Sequence, residues 1–310
     1  FISLLQLLII SLLIGIFSIR TIVKPVQIPF DWPSFILLAI SFSSLIFATS
    51  SVGTLGWHNP LILSEFFICI LTFIIFYKSA SRKKNPIFHP SVFRIKTFTL
   101  SVIVIGIVQF ICLGLGFLIP NYSQLVSGEK ALVAGLLLLP GCIVGAFIPP
   151  FSGRLLDRIG AKRPILLGNI CIIVATLLYS ILAQQITTMQ FTIIYIIFTI
   201  GQGFSSGTSM TNGVRQPPEN SSTDGNAVCT TIQQLAGAVG TAVVTTLVSA
   251  AQEQFPDQLP YATMLGSRDA LFLLFALACI ALICSMIIFR NIITIHPHSG
   301  WFFFFGHSPF

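Results

Sequence analysis

Charge is what this sequence has least of. Of 310 residues, 8% are Asp, Glu, Lys or Arg, with 16 basic and 9 acidic side chains. A soluble domain is about 25% charged, so this scarcity excludes a single aqueous fold. Familiar catalytic patterns are missing too: no Walker loop, Ser-His-Asp spacing or zinc-type His pair appears. An intramembrane enzyme would need such a constellation. Seven cysteines are present, but none forms Cys-x-x-Cys. Most lie in apolar runs and read as small apolar residues. The sequence opens at Phe1 with neither Met nor a basic leader segment. That argues against a signal peptide and for the later part of a longer protein. No soluble domain is legible, which weakens a pure docking role.

What the chain does have is apolar sequence. It is 55% hydrophobic, with a mean hydropathy of +0.93. Runs near 20 residues, each about 30 Å long as helix, match a bilayer. Nine are predicted, near 1–19, 33–52, 60–77, 98–119, 131–151, 164–183, 189–210, 227–250 and 270–289. The runs are continuous rather than alternating, which favours helix over barrel strand. A helix also satisfies its own backbone in lipid. The expectation is an all-α polytopic transmembrane helical bundle whose partner is the lipid bilayer.

The net charge of +7 is a topology signal. Alternate loops place 14 of the 16 basic residues on one side, leaving Lys130 and Arg268 on the other. The positive-inside rule assigns the rich side to the cytoplasm of a cell (inner) membrane protein. A nucleic-acid partner is not expected.

The basic segment from Lys78 to Lys96 is the clearest internal boundary. The six spans after it suggest two triplets, an arrangement seen in transporters. Residues 252–269 read as the longest outer loop. Asp224 or Asn226 is placed to cap the eighth span and Asp269 the ninth. The tail from Asn291 holds His296, His298 and His307 and reads as peripheral, with no metal site and no cofactor expected.

The densest charge lies in Gly153-Arg154-Leu155-Leu156-Asp157-Arg158-Ile159-Gly160-Ala161-Lys162-Arg163-Pro164. Its glycines suit tight backbone geometry, and Pro164 suits a first helical turn. Asp157 is expected to face the following helix start or to pair with Arg154 or Arg158. Two readings stand: a solvated basic loop, or a latch between two bundles.

This string resembles the signature loop of the major facilitator superfamily, departing at Ala161, where Arg is common. Further similarity runs from Gln202-Gly203 to Gly240, and through Pro120-Asn121-Tyr122-Ser123-Gln124 with Ala134 to Gly141. Together these resemble the fourteen-span drug:proton antiporters, and the last resembles their lincosamide and multidrug exporters. The resemblance implies that residues 1–19 are the last span of an N-terminal half. Residues 20–97 would hold two extra spans and the basic loop, 98–290 a C-terminal six-helix bundle, and 291–310 a tail. It implies a gating role for Gly153, Arg154, Asp157, Arg158, Gly160, Lys162 and Arg163. Spans four to nine contain almost no carboxylates, so the main proton-coupling carboxylates are expected in an N-terminal half outside this sequence.

Other residues are read directly. Gly141-x-x-x-Gly145, Gly203-x-x-x-Gly207, and Gly237 with Gly240 favour close helix packing. Pro140, Pro149 and Pro150 kink or end the fifth span. Glu65 is the carboxylate set well inside an apolar run, a candidate proton site. Gln109, Gln202, Gln233 and Gln234, with aromatic Phe110, are candidates for a greasy-substrate cavity. Asn169, Ser205 and Ser206 are further polar groups, and each of these polar residues also reads as an ordinary interhelical hydrogen bonder. The expected function is proton-coupled export of hydrophobic small molecules by alternating access. Transport of a polar metabolite by the same fold, or a non-transporting membrane interaction role, are the alternatives.

Overall fold

The computed structural model describes residues 31–56, 58–83, 90–215 and 222–295, with residues 5, 6, 8, 9, 11, 12 and 14. The chain divides into two compact units at Asp31/Trp32. In the first unit the described residues from 5 to 14 are helical. The predicted first span, the tail beyond residue 295 and the loop at 84–89 fall largely or wholly outside the described residues.

The described part of the second unit is helices joined by short links. Its elements are α1 (Trp32–Leu55), α2 (Pro60–Arg82), a 3-10 turn (Pro90–Arg94), α3 (Lys96–Leu125), α4 (Ala131–Leu136), α5 (Leu139–Ile159), α6 (Lys162–Leu182), α7 (Thr188–Val214), α8 (Ser222–Gln254) and α9 (Leu259–Ile295). Each apolar run predicted after the first span carries its own helix, the fifth as α4 plus α5. Seven of these segments are long and apolar enough to cross a membrane. The 27-residue α7 has the length, but Gln190, Gln202, Ser205 and Ser206 dilute its apolar content.

α3 is the hub. It packs along α8, α9 and α7, while α5 packs on α7, and α6 on α7 and α9. The hairpin α1–α2 joins through α8, against which α1 lies. Lipid tails are as apolar as leucine, so close packing rather than water exclusion holds such helices together. The glycines show where. A Cβ on Gly141 would strike the Tyr195 ring, one on Gly145 would meet Thr199 Cβ at 3.3 Å, and one on Gly203 would meet Ile148 Cγ2 at 2.5 Å. Both small-x-x-x-small runs therefore line the α5–α7 crossing. The α6–α7 crossing is backbone against backbone. There a Cβ on Gly168 would lie 2.6 Å from Ser205 N and 2.7 Å from Gly201 O.

Polar side chains fasten the same crossing. Ser205 Oγ donates to Asn169 Oδ1 at 2.8 Å. Asn169 Nδ2 donates to Ser285 Oγ at 2.7 Å, and Ser285 Oγ donates to the Ala281 carbonyl at 2.8 Å. All three side chains are buried, and the chain of bonds ties α7 to α6 to α9.

The bundle has two ends. Gly213, near the end of α7, faces Ser101, near the start of α3. At the other end Thr188 Oγ1 donates to Glu129 Oε1 at 3.2 Å. Buried Tyr122 donates to the Ala183 carbonyl at 2.8 Å, and Tyr179 to the Phe191 carbonyl at 2.8 Å. The helix directions put Arg94, Lys96, Arg154, Arg158, Lys162, Arg163, Arg215 and Arg290 at the first end. Lys130 and Arg268 lie at the second.

Three local expectations need correction. The charged segment 153–164 is mostly helix: α5 continues through Gly153 to Ile159, and α6 starts at Lys162. Gly160 is the glycine that the turn requires, with φ of 78°. Asp269 caps nothing, because α9 begins ten residues earlier and leaves a short link to α8. Asp224 lies in the first turn of α8, and Asn226 lies within the helix. Pro140 opens α5, whereas Pro149 and Pro150 lie inside it without ending it.

Candidate functional site

The middle of α3 presents Gln109 and Cys112, three residues apart and so on one helix face. Gln233 of α8 donates through Nε2 to Gln109 Oε1 at 3.2 Å. Gln202 of α7 donates through Nε2 to Cys112 Sγ at 3.0 Å. The result is a polar belt running from α8 across α3 to α7. All four side chains are half-buried.

Such bonds are modest glue, about 0.6 kcal/mol on average and up to about 1.7 kcal/mol between membrane helices. Their larger effect is positional. A primary amide offers two donors and an acceptor with two lone pairs. Each belt bond uses a fraction of that capacity, so the amides keep sites for a polar atom of a ligand held among apolar helices. Glycine makes the approach possible. A Cβ on Gly237, one turn after Gln233, would lie 2.5 Å from Leu113 Cδ1 and 3.3 Å from Gln109 Cγ. One on Gly240 would overlap the Phe110 carbonyl and lie 2.8 Å from Phe110 Cα.

Three of the five predicted cavity residues meet in this belt: Gln109, Gln202 and Gln233. The other two stand apart. Phe110 lines a groove of about 390 Å³ between α3, α8 and α9, with Gly106, Ala236 and Leu277. Gln234 is exposed and lines a groove of about 400 Å³ with Phe42 and Ile46 of α1. The reason is helical geometry: adjacent residues on a helix point to different faces. Cys112 is the belt member that the sequence did not flag, since a cysteine in an apolar run carries no polar signal. Glu65 is half-buried on α2. That helix packs on α1, so Glu65 is not brought to the belt.

The second grouping is at the basic end. Asp157 Oδ1 lies 3.9 Å from Arg215 Nη2, both side chains mostly exposed. The sequence offered Arg154 and Arg158 as partners, but the observed pair joins the end of α5 to the end of α7. Arg154, Arg158, Lys162 and Arg163 are exposed around it, as is Gly160, while Gly153 is half-buried within α5. A surface pair of this kind contributes at most about 1 kcal/mol to stability. It reports relative helix position more than it holds the fold.

A third feature is the outer side of α5. Leu139, Ile143, Phe147 and Phe151 are 49–65% exposed and recur at helical spacing along one stripe. The opposite side of the helix packs on α7.

Residues 32–241 match the Major Facilitator Superfamily. The chain is 30% identical over 292 residues to the lincomycin resistance protein LmrB of Listeria monocytogenes serovar 1/2a, covering 92% of this chain and 62% of that protein. It is 29% identical over 290 residues to LmrB of Bacillus subtilis, covering 90% and 60%. It is 25% identical over 227 residues to the multidrug efflux pump LfrA of Mycolicibacterium smegmatis, covering 72% and 44%. The chain thus spans less than two thirds of the length of these curated relatives.

Proposed function

The chain belongs to the major facilitator superfamily, and we propose that it serves proton-coupled export of hydrophobic drugs or toxic compounds by alternating access. The observation that carries this reading is the glutamine belt, a small set of neutral amides inside an otherwise apolar bundle. An apolar pocket with few polar groups suits a greasy cargo. A sugar or amino acid would need a denser polar lining. The named activities of the LmrB and LfrA relatives point the same way.

In this reading the exposed α5 stripe faces an opposing bundle, supplied by the portion of its relatives that the chain does not span. The two bundles rock about the belt, and the basic end faces the cytoplasm. Protons return inward as cargo leaves. Glu65 is the candidate proton carrier on this chain, because a carboxylate within an apolar span is functional by default. The test uses the full-length protein in energised membrane vesicles with a fluorescent cationic dye. Dye movement is expected to follow the proton gradient and to stop when a protonophore collapses it. Dye movement that ignores the gradient, or none at all, overturns the reading.

The Asp157–Arg215 pair supplies the latch. It bridges α5 and α7 at the basic end and favours the state in which those ends stay together. A contact worth up to about 1 kcal/mol shifts a two-state equilibrium about fivefold. Asp157→Arg is therefore expected to lower the export rate about fivefold without loss of membrane insertion. Adding Arg215→Asp should restore most of the loss. A double variant no faster than the single one would return the segment to a plain solvated role.

A further inference from the structure

Along α3 a stripe begins at Lys96 and continues through Thr99, Ile103, Gly106 and Phe110, in alternating steps of three and four residues. Such steps keep residues on one helix face. From Thr99 to Phe110 this face floors the groove of about 390 Å³ between α3, α8 and α9. The groove is apolar, and no charged side chain lines it. Gly106 keeps the floor low, where a Cβ would lie 3.4 Å from Ile232 Cγ2. From Thr99 to Phe110 the helix rises about 16 Å. That is close to the depth of one leaflet, half of a hydrocarbon core about 30 Å thick. Phe110 stands near the middle of α3, so the groove runs from the level of the belt to the basic end. Its mouth there is positively charged. Lys96 lies one turn beyond Thr99 on the same stripe, and Arg94 closes the 3-10 turn. Thr99 Oγ1 donates to the Phe93 carbonyl at 2.7 Å, which seats that turn on the start of α3 and holds Arg94 near Lys96. Both basic residues are exposed, and among the described residues neither has a carboxylate partner. Cys112, which meets Gln202 of α7, lies two positions past Phe110 and so across the helix. The groove is therefore on the side of α3 away from α7 and from α5, which packs on α7.

We propose that this groove holds one acyl chain of an anionic phospholipid, with the lipid phosphate against Arg94 and Lys96. Basic pockets between membrane helices at the bilayer surface bind anionic head groups, and here the pocket continues into a slot one leaflet deep. The two parts select together. A free phosphate lacks the tail that fills the groove, and a phosphatidylcholine brings a cation of its own to the basic pair. The chain fills space that side chains leave open between three helices, so the lipid steadies their packing. The site is separate from the glutamine belt and does not depend on the transport reading.

The test is equilibrium lipid binding to the delipidated, purified chain in detergent micelles, read by native mass spectrometry. Dioleoylphosphatidylglycerol is compared with dioleoylphosphatidylcholine. The anionic lipid is expected to bind about thirtyfold more tightly, from two basic contacts. Arg94→Gln with Lys96→Gln should abolish that preference. Ala236→Phe fills the groove and should abolish retention of both lipids, with an unchanged gel-filtration profile as the folding control. Lys130→Gln, at the other end, should leave binding as it was. Equal affinity for the two lipids, or a preference that survives loss of both basic residues, would overturn the proposal. So would unchanged lipid binding by a folded Ala236→Phe variant, which would reduce the site to a surface contact with the head group. Competition by glycerol phosphate as strong as that of the whole lipid would also overturn it, making the occupant a phosphate ion. Failure of dye export in vesicles, by contrast, would leave this result untouched.

Discussion

Gly168→Val is expected to prevent the bundle from assembling. The added Cβ would lie 2.6 Å from Ser205 N, 2.7 Å from Gly201 O and 3.0 Å from Ser205 Cα. All three are backbone atoms of α7, so no side-chain rotation relieves the contact and α6 must move away. The buried Asn169 network begins at the next residue, and separation of the helices breaks its bond to Ser205. Overpacking by a few methyl groups costs about 1–3 kcal/mol in a soluble core. Here the backbone shift and the stranded amide add to that, so a loss of at least about 3 kcal/mol is anticipated. Thermal aggregation of the detergent-solubilised protein, read by fluorescence-detected gel filtration, provides the check. Gly116→Ala is the control, since a Cβ at Gly116 meets nothing within 4 Å. Equal melting of the two variants would refute the packing argument.

The second large effect is expected at Gly240, where it should appear in transport. A leucine there would press on the Phe110 backbone and push α3 from α8 at the height of the belt. The Gln233–Gln109 bond, already 3.2 Å long, does not survive such a shift. Misplacement of binding groups by about 1 Å lowers enzyme rates by about a hundredfold, and a carrier that must close around its cargo has a similar dependence on geometry. Gly240→Leu in the full-length protein is expected to reduce dye export at least about tenfold. Ala236→Leu makes a useful comparison, because Ala236 borders the open groove beside Phe110 and has room to expand. Equal export by both variants would remove the belt from the transport path.

The sequence made the helices legible because each span is a continuous apolar run, and lipid leaves the backbone few alternatives to helix. It also showed the packing faces of α5 and α7, since paired small residues four apart mark one face, but not that these faces meet. The α6–α7 crossing was harder. Gly168 and Gly201 are single glycines 33 positions apart, and nothing local tells that they meet. Asp157 shows the same limit: its near neighbours Arg154 and Arg158 were legible, but its partner lies 58 positions on. Phe110 beside Gln109 and Gln234 beside Gln233 looked like one site along the sequence, yet the helix turns each pair apart. The starts of α8 and α9 were missed because polar turns at helix ends resemble loops when only hydropathy is followed.

The hub position of α3 bears on how the protein is made. Ribosomes deliver this helix well before its partners: Gln202 follows Cys112 by 90 residues, and Gln233 follows Gln109 by 124. At about 5–20 residues per second, Gln109 waits on the order of 5–25 s before α8 emerges. During that interval a newly inserted α3 must remain in the translocon or bilayer with its amide unanswered. Its neighbours Ile105, Val108 and Ile111, later buried against other helices, meet lipid in the meantime and hold it there. Codon choice or pausing between α3 and α8 therefore sets how long the belt stays open to mispairing.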